Sequence, residues 1–195
     1  MRLSILPCLL PLLTPSSATP IDLTPRQLLP TGQTVKQDVI NIHNAVLALD
    51  ATVRSFNGSP LPTSLIQGTP ILLGVAEIHR VNRAGFAHAI AAKPFSVEDS
   101  AGIIDAVVAT VDISIPNATR NLKSKGPAFK QGGLTPVVVA SLKLLLYDHD
   151  SFSAAVLAKA DRGVGEAEVE EGEAAVENIH DAIQDAIDFF VADLV

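Results

Sequence analysis

The stretch VKQDVINIHNAVLALDATVRSF, residues 35–56, decides the fold. Its apolar residues fall at Val35, Val39, Ile42, Val46, Leu49, Val53 and Phe56, in steps of three and four. That spacing gathers them on one side of an α-helix. The same period returns at Val97, Ala101, Ile104, Val108, Val111 and Ile115, and again at Val176, Ile179, Ile183, Ala186 and Phe190. A helix with one such stripe must bury it against partners, so the chain is expected to be all-α. No segment shows the alternation of a strand, and no fixed-period repeat is visible. At 195 residues one domain with a sizeable core suffices. The expected fold is a single-domain bundle of about five amphipathic helices, some kinked at Pro or Gly, around an apolar interior.

Local signals set the expected boundaries. The first helix should begin near Thr34 and stop at Asn57-Gly58, and a second should run from about Ser64 to Ala92, bent or broken early by Pro70 and Gly74. Ser96 followed by Asp99 reads as an N-cap for a third helix, which Pro116 should interrupt after Ile115. Lys123-Ser124-Lys125-Gly126-Pro127 ends its continuation. Thr135 as N-cap with Pro136 at the first helical position opens a fourth, carrying Val138, Val139, Leu142, Leu145 and Leu146. Asp148-His149-Asp150-Ser151 is expected to break or kink it. Gly163-Val164-Gly165 precedes the last helix, whose Glu166, Glu168, Glu170, Glu171 and Glu173 suit the positive end of a helix dipole.

The two ends speak to location. Residues 1–18 read as a secretory signal: Arg2, an apolar run from Leu3 to Leu13, and small residues at Ser16 and Ala18. Residues 19–33, with Pro20, Pro25 and Pro30, form an extended lead-in, and 34–195 the helical ligand-binding domain. Cys8, the single cysteine, falls within the signal, so the mature chain has no disulfide and depends on packing. Losing Arg2 from the 14 basic residues leaves 13 against 21 acidic ones, a net charge of −8. Such a chain is repelled by phosphate backbones, so nucleic acid and anionic membranes are not expected partners. No run of 18 uncharged apolar residues follows the signal, and no transmembrane segment is expected.

The usual apparatus of catalysis is sparse. There is no Gly-x-Ser-x-Gly elbow, no His-Glu-x-x-His and no phosphate loop, and Gly163-Val164-Gly165 lacks the rest of a dinucleotide fingerprint. The histidines His43, His79, His88, His149 and His180 are not paired at helical spacing, so no metal site and no cofactor are expected. Asp148-His149-Asp150 is the most polar cluster, with a general base and its carboxylate as the functional alternative to a simple kink. Two glycosylation sequons, Asn57-Gly58-Ser59 and Asn117-Ala118-Thr119, sit at expected helix breaks. Asn117 is the better acceptor, since Pro60 hinders the first and Asn57 serves equally well as an unmodified helix stop.

From Val35-Lys36-Gln37-Asp38-Val39-Ile40-Asn41-Ile42 through Ser55-Phe56-Asn57-Gly58 to Ile179-His180-Asp181-Ala182-Ile183-Gln184-Asp185-Ala186-Ile187, the chain resembles the fungal hydrophobic surface-binding protein A group, which includes cell-wall galactomannoproteins. The resemblance implies a secreted, extracellular or wall-associated helical glycoprotein that binds hydrophobic surfaces or encloses fatty acids, with no catalytic residues. Some wall members carry a Ser/Thr-rich tail; this chain stops after its last helix, which favours free secretion.

If the helices do not close completely, a lumen lined by Val39, Ile42, Val46, Ile104, Val108, Leu142, Leu145, Ile183 and Ile187 can take an alkyl chain. A dry core built from the same residues is the plainer alternative, because periodicity shows which face is buried and not whether a void lies behind it. The expected activity is non-enzymatic binding of fatty acids or similar lipids in an apolar tunnel. The alternatives are adsorption to hydrophobic solids, a structural wall mannoprotein associated with polysaccharide, and, third, a secreted hydrolase.

Overall fold

A computed structural model describes residues 29–58 and 61–194. The expected signal and most of the lead-in, up to residue 28, lie outside the described residues. Helix α1 spans Gly32–Ser55 and α2 Leu61–Ala91; α3 (Val97–Ala106) passes through a π turn (Val107–Val111) into α4 (Asp112–Ser124). A short α5 (Gly126–Gln131), α6 (Thr135–Leu157), a 3-10 turn (Arg162–Val164) and α7 (Glu166–Ala192) complete the chain. Among the described residues there is no strand, and the protein is all-α.

Five rods matter: α1, α2, the continuous α3–α4, α6 and α7. Each packs on two neighbours, α1 on α2, α2 on α6, α6 on α7, α7 on α4, and α3–α4 back on α1. The bundle is therefore a closed ring. Ring closure has a geometric consequence. With neighbouring axes about 10 Å apart, the centre of a five-membered ring lies about 8.5 Å from every axis, beyond the roughly 5–6 Å radius of a helix with its side chains. A lumen about 3 Å in radius is left unless side chains fill it.

Each seam of the ring carries polar clasps. The Asp38 carboxylate meets His88 Nδ1 at 2.8 Å between α1 and α2, and Asp148 meets His79 Nδ1 at 2.6 Å between α2 and α6. His149 and His180 reach between α6 and α7, to the Val176 carbonyl at 3.1 Å and to Asp150 at 2.8 Å. Asn178 donates to Asp112 between α7 and α4, and His43 meets Ser114 at 3.0 Å between α4 and α1. All five histidines thus tie helix to helix.

Several boundaries differ from expectation for identifiable reasons. The first helix begins earlier because Thr31, not Thr34, is its cap: Thr31 Oγ1 accepts the Thr34 N–H at 3.4 Å and Thr34 Oγ1 accepts the Thr31 N–H at 3.2 Å. The lead-in therefore ends before residue 32. Helix α2 is not broken at Pro70, which sits on the exposed face beside Ile66, whose carbonyl the proline leaves unpaired and water can serve. Gly74 marks a close approach, since a Cβ there would come within 2.9 Å of Leu49 Cδ1 on α1.

Pro116 does not end the third helix either. Its missing N–H frees the Asp112 carbonyl, and Asn178 Nδ2 lies 3.5 Å from that oxygen and 2.5 Å from Asp112 Oδ1. Ser96 caps α3 as expected, accepting the Asp99 N–H at 3.1 Å. For α6 the cap is Leu134; Thr135 is already helical, and its buried hydroxyl has no hydrogen-bond partner. Asp148-His149-Asp150-Ser151 does not break α6, because Asp148, His149 and Asp150 find partners on α2 and α7, while Ser151 Oγ donates back to the Asp148 carbonyl at 3.1 Å within the helix.

Candidate lipid-binding tunnel

The ring encloses a cavity of about 210 Å³ with walls from all five rods. On α1 the lining runs from Val39 through Ile42, Val46 and Leu49 to Val53, on α6 from Leu142 to Leu157, and on α7 from Val169 to Ile183. Fourteen residues separate Val39 from Val53, about 21 Å at roughly 1.5 Å per residue. The void is long, narrow and apolar.

One end is closed. A turn beyond the last lining residues, Phe56 stacks on Phe129 with ring centroids 4.5 Å apart, and Phe190 meets Phe129 edge-on at 6.1 Å. All three rings are buried. Short helix α5 supplies Phe129, so a segment between two expected helices forms the plug. The other end is open. There the lining includes the exposed Leu157, Asp161, Arg162 and Glu173 around the 3-10 turn. The rim is held by Phe95 N–H on the Lys159 carbonyl at 2.8 Å, Lys159 Nζ on the Ala92 carbonyl at 2.8 Å, and Asp161 N–H on Ser100 Oγ at 2.9 Å.

Of the nine residues assigned to a lumen from sequence, Val39, Ile42, Val46, Ile104, Leu142, Leu145 and Ile183 line this cavity. Val108 and Ile187 do not. Val107, four residues after the buried Ile103 and three after Ile104, takes the wall position at the start of the π turn, and Val108 does not reach it. Ile187 is buried past Ile183, on the way to the Phe190 plug. Sequence reading missed Leu49, Val53, Val111, Ile115, Val176 and Ile179 as wall residues, although all six stand on the same stripes.

Polar groups on the wall are few and mostly engaged. Asp50 pairs with Arg54 and accepts from Asn121 Nδ2 at 2.9 Å, Asn82 donates to the Ile78 carbonyl at 3.1 Å, and Thr119 to the Pro116 carbonyl at 3.1 Å. His149 is held neutral by burial, which pushes its pKa below the ordinary 6.5 more strongly than its hydrogen bond to the Val176 carbonyl raises it. Asp148 turns to His79 on α2, whereas His149 turns to the Val176 carbonyl and Asp150 to His180 on α7, so neither carboxylate hydrogen-bonds the His149 ring. Among the described residues no group of three or more His, Cys, Asp or Glu side chains is placed to hold a metal ion.

The expected exposed corner at Asn117 is absent. Helix α4 runs through Pro116, and Asn117 is an exposed helical residue whose Oδ1 accepts from Arg120 at 3.0 Å. Asn57 is the sequon residue that follows a helix end, although Ser59 of that sequon lies outside the described residues.

By length and composition Val97–Ser124 could cross a membrane, but here this rod is a wall of the ring between α1 and α7. A helical ring around a blind apolar tunnel is the architecture of a hydrophobic-ligand container. The sequence model for hydrophobic surface binding protein A matches residues 32–158, more than half of the chain, and the protein belongs to that family. Its fold is similar to that of Afmp4p in complex with palmitic acid, at 19% identity and a TM-score of 0.73 over 82% of this chain and 99% of that one. Ligand binding domain 1 of the Penicillium marneffei MP1 protein, complexed with arachidonic acids, is similar at 19% identity and 0.70, over 82% and 98%. Domain 2 of the same protein, complexed with multiple arachidonic acids, is similar at 17% identity and 0.66, over 79% and 92%. At such identities the likeness is one of fold. No curated protein matches the chain.

Proposed function

We propose that this protein is a secreted, non-enzymatic carrier that holds a fatty acid or related long-chain lipid in the tunnel between its helices. The single observation behind this reading is the void itself. The cavity of about 210 Å³ leaves apolar wall side chains without close-packed partners on their inner side. An alkyl chain supplies those partners. The 21 Å wall matches on the order of 16 carbons, since bonds near 1.5 Å advance a zigzag chain roughly 1.3 Å per carbon. At about 0.8 kcal/mol per methylene withdrawn from water, such a chain gains on the order of 12 kcal/mol before immobilisation losses. The palmitic and arachidonic acids in the similar structures support the same class of ligand. Secretion rests on the sequence of residues 1–18.

Native mass spectrometry tests the proposal. Protein purified from culture medium is expected to carry one or a few adducts with fatty-acid masses, which organic extraction removes while the helical signal persists. Protein free of lipid and unable to take up a fluorescent fatty acid would refute it.

A second reading, adsorption to hydrophobic solids, is favoured by one surface. The first turns of α2 expose Leu65 (54%), Ile66 (75%) and Leu73 (66%). Adsorbed protein would scale with surface area, whereas a carrier saturates at a fixed ligand ratio.

A further inference from the structure

Most polar groups that line the tunnel are already committed to neighbours; His149 and Ser153 are the exception. His149 Nε2 lies 3.1 Å from the Val176 carbonyl oxygen, which can only accept. The proton is therefore on Nε2, and Nδ1 keeps its lone pair. Among the described residues the one hydrogen-bonding neighbour of Nδ1 is Ser153 Oγ at 3.5 Å, the outer limit of a hydrogen bond. Both residues line the cavity. Together they present one acceptor and one hydroxyl on an otherwise apolar wall.

We infer that His149 and Ser153 form a subsite for a hydroxyl group carried near the middle of a long-chain fatty acid. This deepens the lipid-carrier reading and rests on it. A ligand hydroxyl that meets the pair from the tunnel side can donate to His149 Nδ1 and accept from Ser153 Oγ–H. A carboxylate can only accept, and would set its negative charge against the Nδ1 lone pair with no cation beside it. Among the described residues Arg162 is the one cation on the wall, and it stands at the mouth, joined to Glu173 by a long, exposed 3.4 Å contact. The charged head therefore stays at the rim.

Register along α6 sets the position of the hydroxyl. His149 lies eight residues from Leu157 at the rim and seven from Leu142 near the closed end, about 12 Å and about 10 Å along the helix. At roughly 1.3 Å per carbon those lengths correspond to about nine carbons above the subsite and about eight below it. The ligand class is a fatty acid of about eighteen carbons hydroxylated at its ninth or tenth.

The experiment compares three ligands on delipidated full-length protein by displacement of a fluorescent fatty acid. They are octadecanoate, its isomer hydroxylated at mid-chain, and its isomer hydroxylated beside the carboxylate. The mid-chain isomer is expected to bind at least as tightly as octadecanoate in the unmodified protein. His149→Leu should lower the affinity of the mid-chain isomer relative to octadecanoate roughly tenfold, whatever the change common to both ligands, because the hydroxyl then enters apolar surroundings unpaired. Ser153→Ala should lower the same ratio to a lesser degree, and the isomer hydroxylated beside the carboxylate should keep its ratio to octadecanoate in both variants. A mid-chain isomer roughly tenfold weaker than octadecanoate in the unmodified protein overturns the subsite, as does a His149→Leu variant with an unchanged ratio. The first of these results needs no variant to fold. Failure of all three ligands to displace the probe would instead overturn the carrier reading, and the subsite with it.

Discussion

The two ends of the tunnel are built by the same helices and behave as opposite kinds of matter. At the closed end α1, α7 and the short α5 bring Phe56, Phe190 and Phe129 into ring contact, and the centre of the ring is filled. At the open end the corresponding centre is bordered by Ile104, Val156 and Val169 and by an exposed rim at Arg162 and Glu173, and no side chain fills it. Five-fold closure makes a central void, and three large aromatic side chains remove it at one end only. Stability and capacity are thus assigned to different regions of one fold.

Removing an aromatic from the plug should give the largest effect. Phe129→Ala leaves a cavity in a region that is fully packed, and should lower the unfolding free energy by about 3–5 kcal/mol in denaturant titrations. Lipid taken up per folded molecule should change little. If stability fell by less than about 1 kcal/mol, the closed end would not be the solid region described here.

Ile104→Phe probes the open half. In a packed core the added volume would impose about 1–3 kcal/mol of strain, whereas beside an empty tunnel the ring can occupy ligand space. The expected result is a loss below about 1 kcal/mol in delipidated protein, together with weaker fatty-acid uptake. A marked loss of stability with unchanged affinity would move Ile104 into solid core.

The smallest effect is the pH response of His149. Its folded pKa lies below the ordinary 6.5, so between that folded value and 6.5 the unfolded chain binds more protons, and stability falls as pH is lowered through this window. Asp150 opposes the depression and His180 adds to it. Thermal melts across this range should show a component of acid sensitivity that disappears in His149→Leu. An unaltered pH profile in the variant would assign that sensitivity elsewhere.

How much of this could be read in the chain varies by element. The α1 stripe is nearly complete in sequence: Val35, Val39, Ile42, Val46, Val53 and Phe56 are all buried, and Leu49 is half-buried on the tunnel wall. Counting in steps of three and four from Ile104 admits both Val107 and Val108, and nothing in the local sequence marks Val107 as the one on the wall. By local propensity Pro70, Pro116 and the Asp148 block read as bends or breaks. Each is tolerated through a partner distant in sequence or through solvent, and such partners are invisible to a local rule. The tunnel was legible as a candidate wall but not as a void, since emptiness depends on how many helices close the ring.

The central claim is that an acyl chain lies inside that ring. Intermolecular NOEs between an unlabelled fatty acid and the labelled isoleucine, leucine and valine methyl groups test it most directly. Contacts from the acyl chain to Ile42, Ile104, Leu142 and Ile183, with none to the exposed Ile66 and Leu73, are the predicted result. Contacts confined to Ile66 and Leu73, with the tunnel methyl groups silent, would contradict the account.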